Sequence, residues 1–217
     1  MIIKNDSFTV IFLDSVDSTH KYLKNYIQNS GYKNPQLVIT QNQTNGIGSR
    51  DNKWIGKKNN LYFSFVLSKE LLPDDLPIQS ASIYFSYLLA ELLKEQGSSI
   101  WLKWPNDFYI NGDKIGGTIT NFKNDLFYCG IGLNLVKNNH FNALDISIDV
   151  NNIIDKYTKI INKKYLWKKI FSKYLLEFKK SKHFSATVKN QKISLENAIL
   201  NEDGSIDIDN EKVFSLR

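Results

Sequence analysis

The sequence predicts an α+β fold, in which a mixed or antiparallel sheet carries helices and a small all-β module follows. Three observations predict it: strand-length apolar runs alternate with helical periodicity, turn residues join neighbouring runs into a meander, and short alternating runs return after about residue 185. The chain of 217 residues suits one medium domain, residues 1–182, and a small second one, residues 183–217.

Local periodicity and turn residues locate the individual elements. Strands are predicted at 8–13, 37–41, 61–67, 99–104, 107–110, 114–121 and 126–135. Helices are predicted from residue 19 to near Gly31, at 78–96, and twice within 152–180, where helical spacing relates Trp167, Ile170, Phe171, Tyr174, Leu175 and Phe178. The polar segment 42–60 has no periodicity, so we expect a functional loop there.

The composition narrows the class of protein. Basic residues exceed acidic ones by 28 − 22 = 6, which is compatible with nucleic acid, membrane surface or anionic small molecules as partners. Their densest run, 162–182, is better explained by a solvated helix face than by a nucleic-acid patch. No apolar run approaches the ~18–20 residues of a membrane span, and no signal peptide is recognisable. With the single cysteine, Cys129, read as a buried structural thiol, these features favour the cytoplasm.

The segment 43–54 is the first candidate site. Of the 28 basic residues, only Arg50 and Arg217 are arginines, and Arg50 lies in this segment. Arginine can grip a phosphate or carboxylate with two bonds. The Gly-x-Gly sequence lets the backbone approach a ligand and present N–H groups to a phosphate, Lys53 adds charge, and Trp54 offers a stacking face. A surface loop without a ligand is the alternative interpretation.

A second candidate opens the first helix. Ser18 and Thr19 place two hydroxyls at a helix N-terminus, where they suit a polar ring or a carbonyl, although ordinary helix capping explains them as well. His20 follows them directly. The three histidines and one cysteine of the chain have no metal-ligand spacing.

The third candidate lies where two predicted strands meet. Lys103, Asn106, Asp107 and Lys114 are expected to converge at the strand ends, which suits a nucleoside triphosphate with magnesium, because lysines neutralise phosphate and a carboxylate holds the metal. The alternative is a Trp–Pro core corner with a solvated Lys–Asp pair. The sequence Gly-Ile-Gly-Leu-Asn at 130–134 is equally typical of a tightly packed strand.

Taken in order, these motifs resemble the catalytic domain of biotin–protein ligases. The matching sequences are Asp-Ser-Thr at 17–19, Gly-x-Gly at 46–48, Lys-Trp-Pro-Asn-Asp at 103–107, Lys-Ile-x-Gly at 114–117 and Gly-Ile-Gly-x-Asn at 130–134. The resemblance extends from the first predicted strand to the last helix, and the β tail resembles a shortened SH3-like C-terminal domain of that family. It implies a class II synthetase-like biotin/lipoate ligase fold. It also implies an enzyme that uses biotin, ATP and Mg²⁺ to form biotinyl-5′-AMP and transfers biotin to a lysine of a biotin carboxyl carrier protein.

The resemblance further implies residue roles. Catalysis falls to Lys114, Arg50 and Asp107, with Asp107 also expected to contact magnesium. Biotin contacts are expected from Ser18, Thr19, His20, Gln43, Gly46, Ile47, Gly48, Ser49, Lys114 and Gly117. ATP and adenylate contacts are expected from Arg50, Lys53, Trp54, Lys103, Asn106 and Asn134.

The chain departs from the family pattern at four positions. His20 stands where the family usually has Asn, Ile47 and Ser49 replace two loop arginines, and Asp51 replaces a glycine. Such changes leave backbone N–H contacts intact but remove arginine side chains that would bind the adenylate. We therefore expect the adenylate to be retained less firmly than in arginine-rich relatives. The chain starts shortly before its first predicted strand, which predicts a ligase without a DNA-binding domain. A homodimer is left open.

Two other functions stay open. A lipoate or octanoate ligase or transferase would share the fold, although residues 103–107 and the preceding Trp101 favour biotin by resemblance. A basic nucleic-acid-binding module is the alternative from a different class, and salt-dependent binding to random DNA would reveal it. We expect neither DNA nor membrane as a partner.

Overall fold

An eight-stranded sheet forms the centre of the fold. The computed structural model describes residues 2–4, 8–48, 53–54, 56–139, 141–189 and 191–214. In spatial order the strands are β1 (Ile2–Lys4), β2 (Thr9–Phe12), β3 (Gln36–Thr40), β6 (Leu61–Ser68), β10 (Leu126–Leu133), β9 (Asp113–Lys123), β8 (Asp107–Ile110) and β7 (Trp101–Lys103). β2 and β3 run parallel and the other neighbouring pairs run antiparallel, which confirms the predicted mixed sheet.

Helices cover both faces of the sheet. Within the described residues they are α1 (Thr19–Ser30), α2 (Ala81–Glu95), α3 (Val150–Asn162) and α4 (Trp167–Ser181). α1 packs on one face against a small apolar cluster that includes Val38, whereas the main core lies on the other face beneath α2, α3 and α4. Neighbouring side chains of a strand point to opposite faces, so Leu37 and Ile39 enter the main core.

The ends of α1 follow the sequence signals. Ser18 has an extended backbone, and its Oγ accepts a hydrogen bond from the Lys21 backbone N–H at 3.4 Å. Gly31 ends the helix with a φ of 74°, a left-handed conformation that glycine adopts without strain. The predicted helix is therefore confirmed, and its first residues are held at the edge of β3 and β6.

The predicted meander is also present. Asn111, Asn124 and Asp125 have positive φ angles of 51°, 52° and 59° at the two hairpin turns, as turns of the primed types require. Before the meander, the Trp104–Pro105 peptide is cis, and Lys103 pairs with Asp107 across β7 and β8. The turn residues thus bring the third candidate site together.

The C-terminal module consists of two small sheets that share the main core. β11 (Ser185–Val188) pairs with β12 (Gln191–Ser194), and β14 (Ile206–Ile208) pairs with β13 (Ile199–Leu200) and β15 (Glu211–Val213). The buried Trp104 indole donates to the Gly204 carbonyl at 3.0 Å, and the Trp167 indole donates to the Glu202 carbonyl at 2.7 Å. The module is thus anchored on two buried tryptophans, while the domain boundary at 182/183 stays a prediction.

The structure corrects three local predictions. The segment 42–60 holds a short hairpin, β4 (Gly46–Ile47) with β5 (Lys53–Trp54), which we call the strap. The seventh strand starts at Trp101 rather than at residue 99, because the Ser99 N–H donates instead to Asp145 Oδ2 at 2.9 Å. Leu175 is 42% exposed, since the buried face of α4 runs through residues 167, 170, 174 and 178. In the described chain, no helix has the length and apolarity to cross a membrane.

Candidate functional site

A cavity of about 340 Å³ opens beside the N-terminus of α1. Its floor is built from β9 and β10, where Gly117 faces Gly132 and Ile119 faces Gly130 across the strand pair. The start of α1, the strap, the β7–β8 connection and the segment after β10 form the walls. Most predicted site residues line it: Ser18, Thr19, His20, Gln43, Ile47, Gly48, Lys53, Trp54, Asn106, Asp107, Lys114, Gly117 and Asn134.

Gln43 connects the loop before the strap to the start of α1 through hydrogen bonds. Its Oε1 accepts hydrogen bonds from the Thr19 backbone N–H at 3.0 Å and from Thr19 Oγ1 at 3.2 Å. Thr19 Oγ1 also lies 2.9 Å from Ser64 Oγ on β6, and both hydroxyls are buried. These groups give one end of the cavity a prearranged set of polar atoms. Gly46 leaves room for this arrangement, because a Cβ there would lie 2.4 Å from Gln43 Nε2 and 2.9 Å from the Trp54 carbonyl oxygen.

His20 lies at the same end and is 5% exposed. Its Nε2 is 2.9 Å from Asn121 Oδ1, which also accepts a hydrogen bond from Lys24 Nζ at 2.9 Å. Burial, reinforced by the positive charge of Lys24, lowers the pKa of His20 to about 4. The imidazole is therefore neutral near pH 7. Its Nδ1 is buried and has no hydrogen-bond partner among the described residues.

The other end of the cavity carries charge. Lys114 Nζ lies 2.7 Å from Asp107 Oδ1, and Lys103 Nζ lies 3.5 Å from Asp107 Oδ2. The Lys114 side chain is 43% exposed and lines the cavity, so its charge can reach a bound anion. Gly117 keeps this corner open, because a Cβ there would lie 3.3 Å from Asp107 Oδ1 and 3.6 Å from Lys114 Nζ.

Lys103 points away from the cavity. Its side chain is 6% exposed, and Nζ donates to the Ser185 carbonyl of β11 at 3.0 Å. Burial lowers the pKa of Lys103, while the charge of Asp107 opposes the shift. In this structure Lys103 is therefore not placed to contact a nucleotide as predicted. Instead, Lys103 links Asp107 to the C-terminal module.

The strap places Trp54 over β10. A Cβ on Gly132 would lie 3.0 to 3.2 Å from three atoms of the Trp54 indole, so the ring rests directly on this glycine. Lys114 Nζ is 5.7 Å from the Trp54 ring, within cation–π range. The flat face predicted from the sequence thus stands at the charged end of the cavity.

Two asparagines of the site use their amides to hold the walls. Asn106 Nδ2 donates to the Thr118 carbonyl at 2.6 Å. Asn134 Oδ1 accepts from Asn60 Nδ2 at 3.3 Å, and its Nδ2 donates to the Asn142 carbonyl at 3.3 Å. Both residues line the cavity, so they position its walls as well as offering ligand contacts.

Sequence reasoning missed Ser64, Thr118, Ile119 and Phe141 of the lining, and it singled out Gly-Ile-Gly at 130–132 as a motif without giving these residues a role. A signal existed for Ser64, a lone hydroxyl inside the apolar run of β6, and for the paired glycines of β10. Gly46, by contrast, supports the strap without lining the cavity. The expected contacts of Ser49 and Arg50, and the departure at Asp51, lie outside the described residues.

A magnesium site is only partly provided by the chain. Among the described residues, no group of three His, Cys, Asp or Glu side chains could hold a metal ion. Asp107 is the one carboxylate of the described cavity lining, and both of its oxygens face lysines. This donor set fits an ion held mainly by phosphates and water with one protein carboxylate, the usual situation for Mg²⁺ with nucleotides.

The fold and the cavity define a class of protein: an α+β domain in which described residues enclose a cavity with a neutral hydrogen-bonding end and a cationic end. The chain belongs to the Biotin/lipoate A/B protein ligase family, whose model matches residues 12–134. The predicted family is thereby confirmed.

Solved structures match nearly the whole chain. Biotin acetyl coenzyme A carboxylase synthetase from Helicobacter pylori, solved with bound biotinylated ATP, has a TM-score of 0.92 and 40% identity, covering 96% of this chain and 100% of that one. Biotin protein ligase from Aquifex aeolicus, in complex with biotin and ATP, has a TM-score of 0.72 and 23% identity, covering 96% and 95%. The second likeness concerns the fold alone.

The curated relatives are longer proteins. The bifunctional ligase/repressor BirA of Escherichia coli is 31% identical over 116 residues, which is 52% of this chain and 35% of that protein. Biotin–protein ligase 2 of Arabidopsis thaliana is 27% identical over 148 residues, 58% of this chain and 44% of that protein. The matched region thus spans less than half of these relatives.

Proposed function

We propose that this protein activates biotin with ATP and transfers it to a lysine of a carrier protein. In the first step a carboxylate oxygen of biotin attacks the α-phosphorus of ATP, the bond from that phosphorus to the bridging oxygen breaks, and pyrophosphate leaves. In the second step the acceptor amine attacks the acyl carbon of biotinyl-AMP. The acyl–oxygen bond breaks, AMP leaves, and the nitrogen loses a proton.

The observation that carries this proposal is the different chemistry of the two cavity ends. Thr19, Gln43 and Ser64 form a neutral hydrogen-bonding end near Gly130, whereas Lys114 forms a cationic end near Gly117, which pairs with Gly132. Gly130 and Gly132 are two residues apart along β10, a distance of about 7 Å. A ligand with a polar ring at one end and a carboxylate at the other suits this spacing, and biotin is such a ligand.

Lys114 is proposed to stabilise the charge that develops in the first step. Its ammonium is accessible from the cavity, and Asp107 fixes its position with an ion pair of 2.7 Å. A cation held in place before the reaction needs little rearrangement when charge builds on the carboxylate and the phosphate. Trp54, beside Lys114, is proposed to stack on the adenine base.

Magnesium is proposed as a companion of ATP. Asp107 would supply the protein carboxylate, and the ion would neutralise part of the triphosphate charge. Asp107 would then be shared between the ion and Lys114, which ties the position of the lysine to that of the nucleotide.

The second step needs an uncharged amine. The ordinary pKa of a lysine is about 10.4, so a small fraction of the acceptor amine is uncharged at neutral pH. Transfer from preformed biotinyl-AMP should therefore accelerate as the pH rises, until that pKa is approached. A biotin carboxyl carrier protein is the proposed acceptor.

Biotin is favoured over lipoate by two independent lines of support. The structure most similar in extent and identity among those described above is a biotin enzyme, and the neutral end of the cavity is rich in hydrogen-bonding atoms. The dithiolane ring of lipoate offers no donors to such an end. The cytoplasmic location and the expected lack of contact with DNA stay predictions, and the homodimer stays open.

Pyrophosphate release from ATP tests the proposal. We expect release in the presence of biotin, little release with lipoate or octanoate, and stoichiometric labelling of a carrier lysine from labelled biotin. Release with lipoate alone would instead assign the chain to the lipoate branch of the family. Labelling of the carrier without ATP would contradict the two-step scheme.

A further inference from the structure

Asn60 joins the two loops that border the charged end of the cavity. The residue stands between the strap and β6, and it is 2% exposed. Its Oδ1 accepts hydrogen bonds from the backbone N–H groups of Leu135 at 2.8 Å and Val136 at 3.1 Å, in the segment after β10. Its Nδ2 donates to Asn134 Oδ1 at 3.3 Å. One buried amide thus holds three consecutive residues of the segment after β10.

These contacts fix the direction of both amide groups. A backbone N–H can only donate, so the Asn60 atom beside Leu135 and Val136 must be the oxygen, and Nδ2 must face Asn134. The Asn134 atom that receives this bond must in turn be its oxygen. Asn134 Nδ2 is thereby directed to the Asn142 carbonyl, which lies 3.3 Å away and can only accept. Each of the two amides consequently has one orientation.

The start of β6 holds the strap in a similar way. The Tyr62 hydroxyl, two residues after Asn60, accepts a hydrogen bond from the Lys57 backbone N–H at 2.8 Å and donates to the Lys57 carbonyl at 3.0 Å. This hydroxyl therefore fixes the limb of the loop that follows Trp54. Asn60 and Tyr62 together give the strap and the segment after β10 a common support.

The supported segment belongs to the charged end of the cavity. The Asn134 backbone N–H donates to the Ile115 carbonyl at 2.8 Å, one residue from Lys114, and Asn134 lines the cavity. The neutral end lies near Gly130, four residues earlier, which corresponds to about 13 Å of extended chain. A displacement of Asn134 should therefore affect a nucleotide more than the group bound at the neutral end.

We propose that Asn60 is a positioning residue for the nucleotide: it fixes the segment after β10 and the orientation of the Asn134 amide, so that this wall meets ATP without rearrangement. The inference rests on the proposed function and adds a residue that acts on ATP through Asn134. A buried polar network whose members are hydrogen-bonded specifies one arrangement of the loops. A wall that is ordered beforehand loses less conformational freedom when the ligand binds.

Asn60→Asp in the full chain tests this role, because it keeps the shape and the acceptor of the side chain. The introduced carboxylate still accepts from Leu135 and Val136 but has no N–H for Asn134, whose amide must turn. At pH 8 we expect the Kd for ATP with magnesium to rise roughly 5- to 10-fold, and the Kd for biotin to change less than about 2-fold. Asn59→Asp, the same change at the exposed neighbouring residue, should leave both constants unaltered. Equal rises in the two constants, or no rise for ATP, would overturn the proposal.

A double-mutant cycle separates action through Asn134 from a general loosening of the loops. Asn134→Ala should raise the Kd for ATP. Adding Asn60→Asp should then raise it little further, because the amide whose orientation Asn60 sets is already absent. Fully additive rises would show that Asn60 does not act through Asn134, and the proposal would fail.

Amide hydrogen exchange provides a readout on the wild type alone. The backbone amides of Leu135 and Val136 lie beyond the last residue of β10, yet they should exchange slowly in the free protein because Asn60 Oδ1 holds both. Fast exchange of both amides would overturn the inference, even where biotin-dependent pyrophosphate release by the wild type upholds the proposed function.

Discussion

Lys114 Nζ and Asp107 Oδ1 lie 2.7 Å apart in the wall of the cavity, and this pair sets the position of an accessible cation of the described lining. The pair is partly exposed on the lysine side, with 43% of that side chain accessible. Exposed ion pairs add little to folding stability because water and salt screen them. We therefore expect this pair to matter mainly for orienting the lysine charge towards the cavity.

The first prediction concerns Lys114→Ala. We expect biotin-dependent pyrophosphate release to fall ~10²–10³-fold, the usual loss when a preorganised cation is removed. The midpoint of denaturant unfolding should barely change. Lys189→Ala is the matched control, because Lys189 forms an equally short ion pair with Glu211 on the C-terminal module, at 2.7 Å. Near-normal pyrophosphate release by Lys114→Ala would instead indicate that Lys103 is the main cation of the site.

The second prediction concerns Lys103→Met, which removes the link between Asp107 and the Ser185 carbonyl. Asp107 keeps Lys114 as a partner, so the loss is that of hydrogen bonds and not of an isolated buried charge. We expect the free energy of unfolding to fall by about 1–3 kcal/mol, with little change in the Kd for ATP. Lys192→Met, on the exposed side of the same module, should leave both quantities unchanged. A large loss of ATP affinity at unchanged stability would make Lys103 a nucleotide contact after all.

The third prediction uses the contact between Gly132 and Trp54. Ala at 132 would place a Cβ 3.0 Å from the indole, so the ring must move. If Trp54 stacks on adenine, the Kd for ATP should rise roughly 5- to 150-fold, and the Trp54 emission, isolated by comparison with Trp54→Phe, should shift. Gly112→Ala is the control, because a Cβ there has no atom within 4 Å. Unaltered ATP binding in Gly132→Ala would argue against stacking.

The fourth prediction is a pH dependence of stability caused by His20. The pKa of this residue is about 4 in the folded protein, below the ordinary histidine value of 6.5, so the unfolded state binds the proton more readily. Stability is therefore complete above pH 6.5 and is lost progressively as the pH falls towards 4, by up to roughly 3 kcal/mol. His20→Asn should flatten the unfolding free energy over this range. Lys24, repelled in turn by Lys123, is the nearby charge that opposes protonation.

The fifth prediction concerns Arg50, which lies outside the described residues and whose role stays a prediction from the sequence. A charge-assisted hydrogen bond contributes about 1.5–3 kcal/mol, so Arg50→Ala should release preformed biotinyl-AMP roughly 10- to 150-fold faster. Arg50→Lys should recover part of the retention, because lysine lacks the planar fork. Labelled intermediate is followed after dilution into unlabelled biotin. Equal release by wild type and Arg50→Ala would assign phosphate retention to backbone amides of the loop.

Most of the fold could be predicted because its signals are local. Turn residues with positive φ, such as Asn111 and Asn124, stand between runs of strand periodicity, and Ser18 and Gly31 mark the ends of α1. Leu175 shows where helical periodicity misleads. Its apolar side chain predicted a place on the buried face of α4, but the packed helix leaves it exposed.

The details of the site depend on contacts between distant parts of the chain. Ser64 meets Thr19 from 45 positions away, and Lys103 meets Ser185 from 82 positions away. Ser64 and Ser185 belong to no motif. Residue type alone therefore could not distinguish a lysine that lines the cavity from one that binds the C-terminal module. The hydrogen bond of His20 Nε2 likewise depends on Asn121, 101 positions later.

The loop that carries the strap leaves the sheet after β3 and returns to it at β6, and these two strands are neighbours in the sheet. β3 and β6 are hydrogen-bonded neighbours up to the pair Thr40 and Tyr62, and the Asn59 N–H donates to the Gln41 carbonyl at 2.8 Å, so the base of the excursion is closed. Because the base is closed, we expect that an arginine-rich sequence could replace the loop between Gln41 and Asn59 without shifting the register of β3 and β6. Under the proposed function, such an exchange would turn retention of the acyl adenylate into a property that is adjusted in one loop, while the sheet that carries the rest of the cavity stays the same.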